Sequence, residues 1–183
     1  MRTRLDKNDR KANIIEEAEA LFLAQGYGLT EMEDIRKACG ISRGGLYHHF
    51  SNKAAILDAL VDIEVENLAM SITKAPNFLA FLLRHSSSQQ EQGLLEAFVT
   101  TEEKRAYLSA LDLALTKYLM PVLEEGLVSL VLPGVRPDHV AELFLTVNAH
   151  INRRVVLGEW SDEEASQFAG TALVALTSFL KDS

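Results

Sequence analysis

Residues Thr30–Phe50 read TEMEDIRKACGISRGGLYHHF, and they carry the clearest structural signal in the chain. Two short helix-forming runs flank Gly40, and glycine readily adopts the left-handed conformation that ends a helix. Ser42 is a favourable N-cap for a second helix, in which Leu46 and Phe50 lie four residues apart and face a core. The pattern predicts a helix-turn-helix, the motif that places its second helix in the DNA major groove.

The two helices of this motif have distinct polar faces. Thr30 is the predicted N-cap of the first helix, and the acidic residues that follow it suit the positive end of a helix dipole. The face of the second helix opposite Leu46 has no evident core to bury against. That face carries Arg43, Gly44, Tyr47 and His48.

Two consecutive glycines, Gly44 and Gly45, stand near the start of the second helix. Each costs about 1 kcal/mol relative to alanine in a helix interior. One interpretation is that they let the helix backbone approach a phosphate or a base edge closely. The alternative is that the turn continues through both glycines and the helix begins only at Leu46.

Residues 11–57 resemble the DNA-binding domain of the tetracycline-repressor (TetR) family of bacterial transcription regulators. The matching segments are, in order, KANIIEEAEALFLAQGY, the start at Thr30, CGISRGGLYHHF and SNKAAIL. The resemblance covers about a quarter of the chain. The remainder is similar to the family only in being helical and of suitable length, so no ligand is implied.

The resemblance implies a set of residues that contact DNA. Thr30 and Lys53 would meet phosphates at helix starts, and the exposed face of the second helix would face the groove. Gly45 departs from the family, where a small hydroxyl or alanine is more usual, so a phosphate contact by that hydroxyl would be missing. The expected DNA-binding residues are Thr30, Ser42, Arg43, Gly44, Gly45, Tyr47, His48 and Lys53.

The charge distribution is compatible with a DNA-binding head, although the whole chain of 183 residues carries a net charge of −8. Residues 1–53 hold nine Lys/Arg and eight Asp/Glu, whereas the remainder holds nine and eighteen. A basic arm is enough for phosphate contact, and an acidic body would limit non-specific binding. The arm, which is also compatible with a solvated terminus, comprises Arg2, Arg4, Lys7, Arg10 and Lys11.

Apolar spacing predicts helices almost throughout the chain and no strand of weight. The expected fold is all-α, with an N-terminal helix-turn-helix DNA-binding head (residues 1–52) and a C-terminal helical ligand-binding and dimerisation body (residues 53–183). Pro121 lies inside the longest helical run and should kink it. The predicted helices beyond the motif are 13–25, one from Lys53, one after Pro76, 90–99, 101–132, 138–157 and 161–181.

The last predicted helix carries a broad apolar stripe with several small residues that permit close helix crossing. Such a helix is either a core helix or half of a subunit interface. The family resemblance favours an interface, a four-helix bundle formed by two chains, and two heads suit a palindromic DNA site. The expected interface residues are Ala165, Phe168, Ala169, Ala172, Leu176 and Phe179.

An effector site is expected in the body as an apolar cleft with a few polar groups. Because aromatic residues dominate, the ligand should be small, hydrophobic, and neutral or weakly charged. The alternative is that the aromatic residues are plain core and that Asn148 is a satisfied buried amide. The candidate residues are Phe78, Phe81, Leu82, Tyr107, Leu111, Tyr118, Phe144, Val147, Asn148 and His150.

The sequence offers little support for catalysis, and no cofactor is expected. It contains no Walker loop, GxSxG or HExxH motif. His139 and Glu142 have a spacing compatible with a metal but no evident third ligand. The single Cys39 excludes an intrachain disulfide. No 18-residue apolar run or signal segment is present, so a cytoplasmic protein without membrane partners is expected.

These expectations together describe a homodimeric transcription regulator rather than an enzyme. The most favoured form is a repressor released from a palindromic operator by a small hydrophobic molecule. The alternative is a helical adaptor or protein-binding module that does not respond to an effector. Salt-dependent binding of a DNA duplex would separate these two classes of protein.

Overall fold

The computed structural model describes residues 7–74 and 92–181, and the fold is all-α as predicted. Phe78, Phe81 and Leu82 of the predicted effector site, and the helix predicted after Pro76, lie outside the described residues. The helices are α1 (Lys7–Gln25), α2 (Met32–Cys39), α3 (Arg43–His49), α4 (Lys53–Thr73), α5 (Gln92–Leu95), α6 (Thr101–Ala114), a π-helical segment (Leu115–Leu119), α7 (Met120–Leu127), α8 (Pro137–Val156) and α9 (Asp162–Thr177).

The described residues form two compact units. The first, here called the head, comprises residues 7–61 and 92–107, and the second, the body, comprises 62–74 and 108–181. The head thus includes the first turns of α4, because Ile56, Leu57 and Leu60 are buried there. The boundary at residue 52 expected from the sequence concerns function and stays a prediction.

The core of the head is built from the apolar faces of its helices. Ile14, Ala18 and Phe22 of α1 are completely buried, as are Ile35 of α2 and Leu46 of α3. A fully buried aliphatic or aromatic side chain of this size contributes about 1.5–3 kcal/mol through the hydrophobic effect. This burial packs α2 against α1 and anchors α3 in the same core, and it leaves the outer faces of α2 and α3 exposed.

An aromatic cluster ties residues 92–107 into the head. The Tyr27 ring lies 5.1 Å from the ring of Phe22 and 5.1 Å from that of Phe98, and the Phe98 ring lies 5.2 Å from that of Tyr107. The backbone N–H of Tyr27 donates to the Ala97 carbonyl at 2.7 Å. Tyr107, a predicted lining residue of the effector site, is buried in the head, and its part in an effector site stays a prediction.

The long helical run of the body is interrupted where the sequence predicts a kink. A π-helical segment, Leu115–Leu119, precedes Pro121, and the Met120 N–H donates to the Leu115 carbonyl. Proline has no N–H to continue the regular ladder, so a local change of helix type before it is expected. Next to this segment, Asp62 accepts from Lys117 Nζ at 2.7 Å and from the Tyr118 hydroxyl at 3.2 Å.

The two last helices, α8 and α9, pack against each other, and the apolar stripe of α9 is divided between two environments. Ala165 and Leu176 are buried within the chain, so they belong to its own core and not to an exposed interface. Phe168 and Phe179 remain 39% and 37% exposed. Ala169 and Ala172 are intermediate. Part of the stripe therefore belongs to the core of the chain, and the subunit interface stays a prediction for the exposed part.

Candidate DNA interface

The start of α2 differs from the sequence prediction. Glu31, not Thr30, is the N-cap residue, and its N–H donates to Asp34 Oδ2 at 3.0 Å. The Thr30 side chain is completely buried, where its hydroxyl donates to the Gly26 carbonyl at 2.8 Å. The prediction that Thr30 caps the helix is therefore wrong, and its buried hydroxyl does not fit a direct contact with phosphate.

The turn between α2 and α3 is tightly bonded. Gly40 has φ of +61° and its N–H donates to the Lys37 carbonyl at 3.0 Å, which confirms the predicted left-handed helix end. Arg36 makes two hydrogen bonds with Ile41, the residue after Gly40. The Arg36 carbonyl accepts from the Ile41 N–H at 3.3 Å, and Arg36 Nη1 donates to the Ile41 carbonyl at 2.8 Å. Sequence reasoning missed this contact, since arginine on a short helix normally signals only an exposed charge.

Helix α3 begins where its predicted cap places it. Ser42 Oγ accepts from the Gly45 N–H at 3.1 Å, and α3 includes both glycines, so the alternative of a longer turn is wrong. A Cβ at Gly44 would meet no atom within 4 Å, whereas one at Gly45 would lie 3.2 Å from Ser42 Oγ. The protein itself therefore has no steric need for glycine at position 44.

The outer face of α3 presents the residues that the sequence predicts. Leu46 and Phe50 are buried and anchor the helix, while Arg43 and His48 are exposed and Tyr47 is 44% exposed. The Arg43 guanidinium lies 5.6 Å from the centre of the Tyr47 ring. A groove of about 430 Å³ runs beside this face, lined by Glu31, Met32, Glu33, Arg36, Arg43, Leu46 and Tyr47.

The ammonium group of Lys53 is bonded within the protein. Its Nζ donates to the carbonyls of Tyr27 at 2.6 Å, Thr30 at 2.7 Å and Gly28 at 3.3 Å. The same Nζ lies 4.5 Å from the centre of the Tyr27 ring. These contacts hold the loop between α1 and α2 on the start of α4, and they compete with the phosphate contact expected from the family resemblance.

Residues 14–60 match the profile of the bacterial regulatory proteins of the tetR family, and they span α2, the turn and α3. Over these residues the chain is of the TetR type. The TetR-type region is 41% identical over 61 residues to TtgR, an HTH-type transcriptional regulator of Pseudomonas putida, which is 33% of this chain and 29% of TtgR. The chain thus aligns with less than a third of the length of that relative.

Similarity over the whole length is weaker. The chain is 26% identical over 187 residues to the transcriptional regulator YfiR of Bacillus subtilis, which covers 93% of this chain and 90% of YfiR. Its fold is similar to that of NalD, the secondary repressor of the MexAB-OprM multidrug efflux pump in Pseudomonas aeruginosa. That comparison has a TM-score of 0.57 and 19% identity, and it covers 96% and 98% of the two chains.

Two features of the described residues bear on other classes of site. Between 7 and 74 and between 92 and 181, no group of three His, Cys, Asp or Glu side chains comes together as metal ligands would. Over the same ranges, no helix combines the length and the apolar character needed to span a membrane. His139 and Glu142 are both exposed on α8.

Proposed function

We propose that the protein is a homodimeric transcription regulator that binds operator DNA through α3 and acts as a repressor. The observation that carries this proposal is the asymmetry of α3. Leu46 and Phe50 bury one side completely or nearly so, while Arg43, Gly44 and Tyr47 occupy an exposed side. A short helix anchored in this way presents a fixed set of side chains to a major groove.

The residues of that exposed side have separable roles. Arg43 is the candidate base reader, because a guanidinium can bond guanine O6 and N7 together. Gly44 faces open space, which allows the helix backbone to approach DNA without a side chain between them. Tyr47 and His48 would contact phosphate and set the register of the helix in the groove.

The test is DNA binding by the full chain, with a duplex selected from a random pool and a scrambled duplex of the same composition. Arg43→Ala should lose about 1–3 kcal/mol of binding to the selected duplex and relax the preference at one base position. Arg105→Ala, an exposed arginine on α6, is the matched control and should bind as wild type does. Intact selectivity in Arg43→Ala would mean that α3 reads DNA with another face.

Assembly into a homodimer is supported by exposed apolar side chains on the last two helices. Leu143 of α8 is 42% exposed, and Phe168 and Phe179 at α9 and its end are exposed to a similar degree. Large apolar side chains left exposed on a folded chain are candidates for a surface that a second subunit covers. Two α3 helices in one dimer would match the two halves of a palindromic operator.

The effector is proposed to be a small hydrophobic molecule bound in the body. Leu111, Tyr118, Phe144 and Val147 remain the candidate lining residues. Asn148 is less suited, because its Nδ2 donates to the Phe144 carbonyl at 3.0 Å within its own helix. His150 is exposed, with its ring 5.3 Å from that of Trp160, which suits a surface or the dimer seam better than a pocket.

Release from DNA would follow from a population shift, in which the ligand stabilises a dimer geometry that fits the operator poorly. A screen of apolar neutral, cationic aromatic and anionic compounds for thermal stabilisation and DNA release tests this step. A response to anionic metabolites or metal ions alone would refute the hydrophobic effector.

A regulator of a bacterial operator works in the cytoplasm, so that location belongs to the same proposal. If the protein binds no DNA duplex at either low or high salt concentration, the alternative of a helical adaptor is favoured.

A further inference from the structure

Besides its backbone hydrogen bonds, the turn that joins α2 to α3 is bonded by the side chain of Arg36. Arg36 bonds both backbone groups of Ile41, through its own carbonyl at 3.3 Å and through Nη1 at 2.8 Å. Ile41 lies between Gly40, which ends α2, and Ser42, which caps α3. A residue at that point determines the direction in which α3 leaves the turn.

Glu33 fixes the orientation of the Arg36 guanidinium. Nε donates to Glu33 Oε2 at 2.9 Å and Nη2 donates to Oε1 at 2.7 Å, a two-point contact that leaves Nη1 aimed at Ile41. Bidentate pairs of this kind define geometry as well as contribute energy. The Arg36 side chain is 27% exposed, while that of Glu33 is 53% exposed. All of the guanidinium nitrogens thus have a protein partner.

Glu33 and Arg36 line the same groove as Arg43 and Tyr47. Arg36 lowers the pKa of Glu33 through their hydrogen bond, and the charge of Arg43 acts in the same direction. The carboxylate is therefore charged and balanced where a DNA phosphate would otherwise meet an uncompensated negative charge. The Arg36 guanidinium, although it faces this groove, therefore has a structural role in the turn.

We propose that Arg36 is a positioning residue that sets the orientation of α3 and thereby the sequence selectivity of the head. The inference rests on the proposed DNA-binding function. A base contact by Arg43 requires placement within about 0.5 Å, whereas phosphate contacts tolerate small shifts through long side chains and water. Loosening the turn therefore reduces selective binding and leaves general affinity for DNA nearly unchanged.

The experiment compares wild type with Arg36→Lys, Glu33→Gln and the control Lys37→Gln on the selected and the scrambled duplex. Arg36→Lys keeps the charge but loses the fork, so the ratio of the two affinities should fall about tenfold, with scrambled binding within about twofold. Glu33→Gln leaves Nη1 in place but weakens its orientation, and the ratio should fall by a smaller factor. Lys37→Gln, on an exposed neighbour, should keep the ratio. Circular dichroism and thermal unfolding establish that each variant is folded.

The outcomes separate the inference from the function on which it rests. A wild-type ratio in folded Arg36→Lys, or an equal loss on both duplexes, overturns the positioning role and leaves the DNA-binding function in place. If Arg36→Lys does not fold, the ratio for Glu33→Gln decides, and an unchanged ratio there overturns the proposal. Absence of binding by the wild type to either duplex overturns the proposed function and this inference with it.

Discussion

Replacing Lys53 with methionine distinguishes a structural role for this residue from a DNA contact. Methionine keeps most of the aliphatic stem but removes the ammonium group that bonds the carbonyls of Tyr27, Gly28 and Thr30. In the wild type these bonds hold the loop between α1 and α2 on the start of α4. The variant leaves the carbonyls to water, and the loop loses its attachment.

The magnitude follows from the distances. The bonds of 2.6 and 2.7 Å are short and the third, 3.3 Å, is long, so only the first two count fully. Each contributes about 1 kcal/mol after the carbonyl regains water, and the contact with the Tyr27 ring adds about 0.5–1 kcal/mol. The free energy of unfolding should therefore fall by about 2–3 kcal/mol. With a urea m-value of about 2 kcal/mol/M, the midpoint falls by about 1–1.5 M.

The assay is urea unfolding followed by far-ultraviolet circular dichroism, with Lys37→Met as the matched control. Lys37 is exposed on α2, and its replacement should change the unfolding free energy by less than about 0.5 kcal/mol. The reasoning is refuted if Lys53→Met unfolds at the wild-type urea concentration and binds selected and scrambled duplexes with equally reduced affinity. A salt dependence reduced by about one unit would then identify Lys53 as a phosphate contact.

Two further predictions concern the body. Phe168→Glu places a charge on the exposed side of α9, so it should shift the protein towards monomer in sedimentation and reduce operator affinity. The control Val128→Glu, at a residue that is 64% exposed, should change neither. A dimer that survives Phe168→Glu would place the interface elsewhere. Burial raises the pKa of Asp112, with Arg153 acting in the opposite direction, so the folded state binds that proton more tightly than the unfolded state. Asp112→Asn should therefore have the larger free energy of unfolding at neutral pH, and this advantage should shrink as acidification protonates the wild-type carboxyl. Urea unfolding of both proteins at neutral and at acidic pH measures it, and a difference in unfolding free energy that stays constant between the two conditions would contradict the prediction.

The features of the head that follow local rules were predictable from the sequence. Ser42 caps α3, Gly40 ends α2 in the left-handed conformation, and Leu46 and Phe50 anchor α3, because each depends on neighbours within one or two turns. The resemblance to the TetR family, which was also read from such local signals, is confirmed. It rests on the order of these local signals, and residues 14–60 match the family profile.

The errors arose where a side chain has a partner that local spacing does not indicate. Thr30 has good N-cap chemistry, but its hydroxyl donates backwards to Gly26, so Glu31 takes the cap position. The partners of Lys53 lie 23 to 26 residues earlier in the chain, beyond any helical periodicity. The packing of Tyr107 on Phe98 is likewise not visible in the sequence, because helical spacing indicates burial but not which core receives the side chain.

The aromatic cluster around Tyr27 has a consequence for how the chain divides. Tyr27 packs on Phe98, which in turn packs on Tyr107, and both of these residues belong to a segment that follows residues 62–74 of the body in the chain. The head is therefore discontinuous in sequence, and one proteolytic cut after α4 would not release it intact. A body exchanged between relatives of this protein would have to bring along a compatible segment equivalent to residues 92–107. Inheritance of the DNA-binding half is thereby linked to a short piece of chain far outside its own motif.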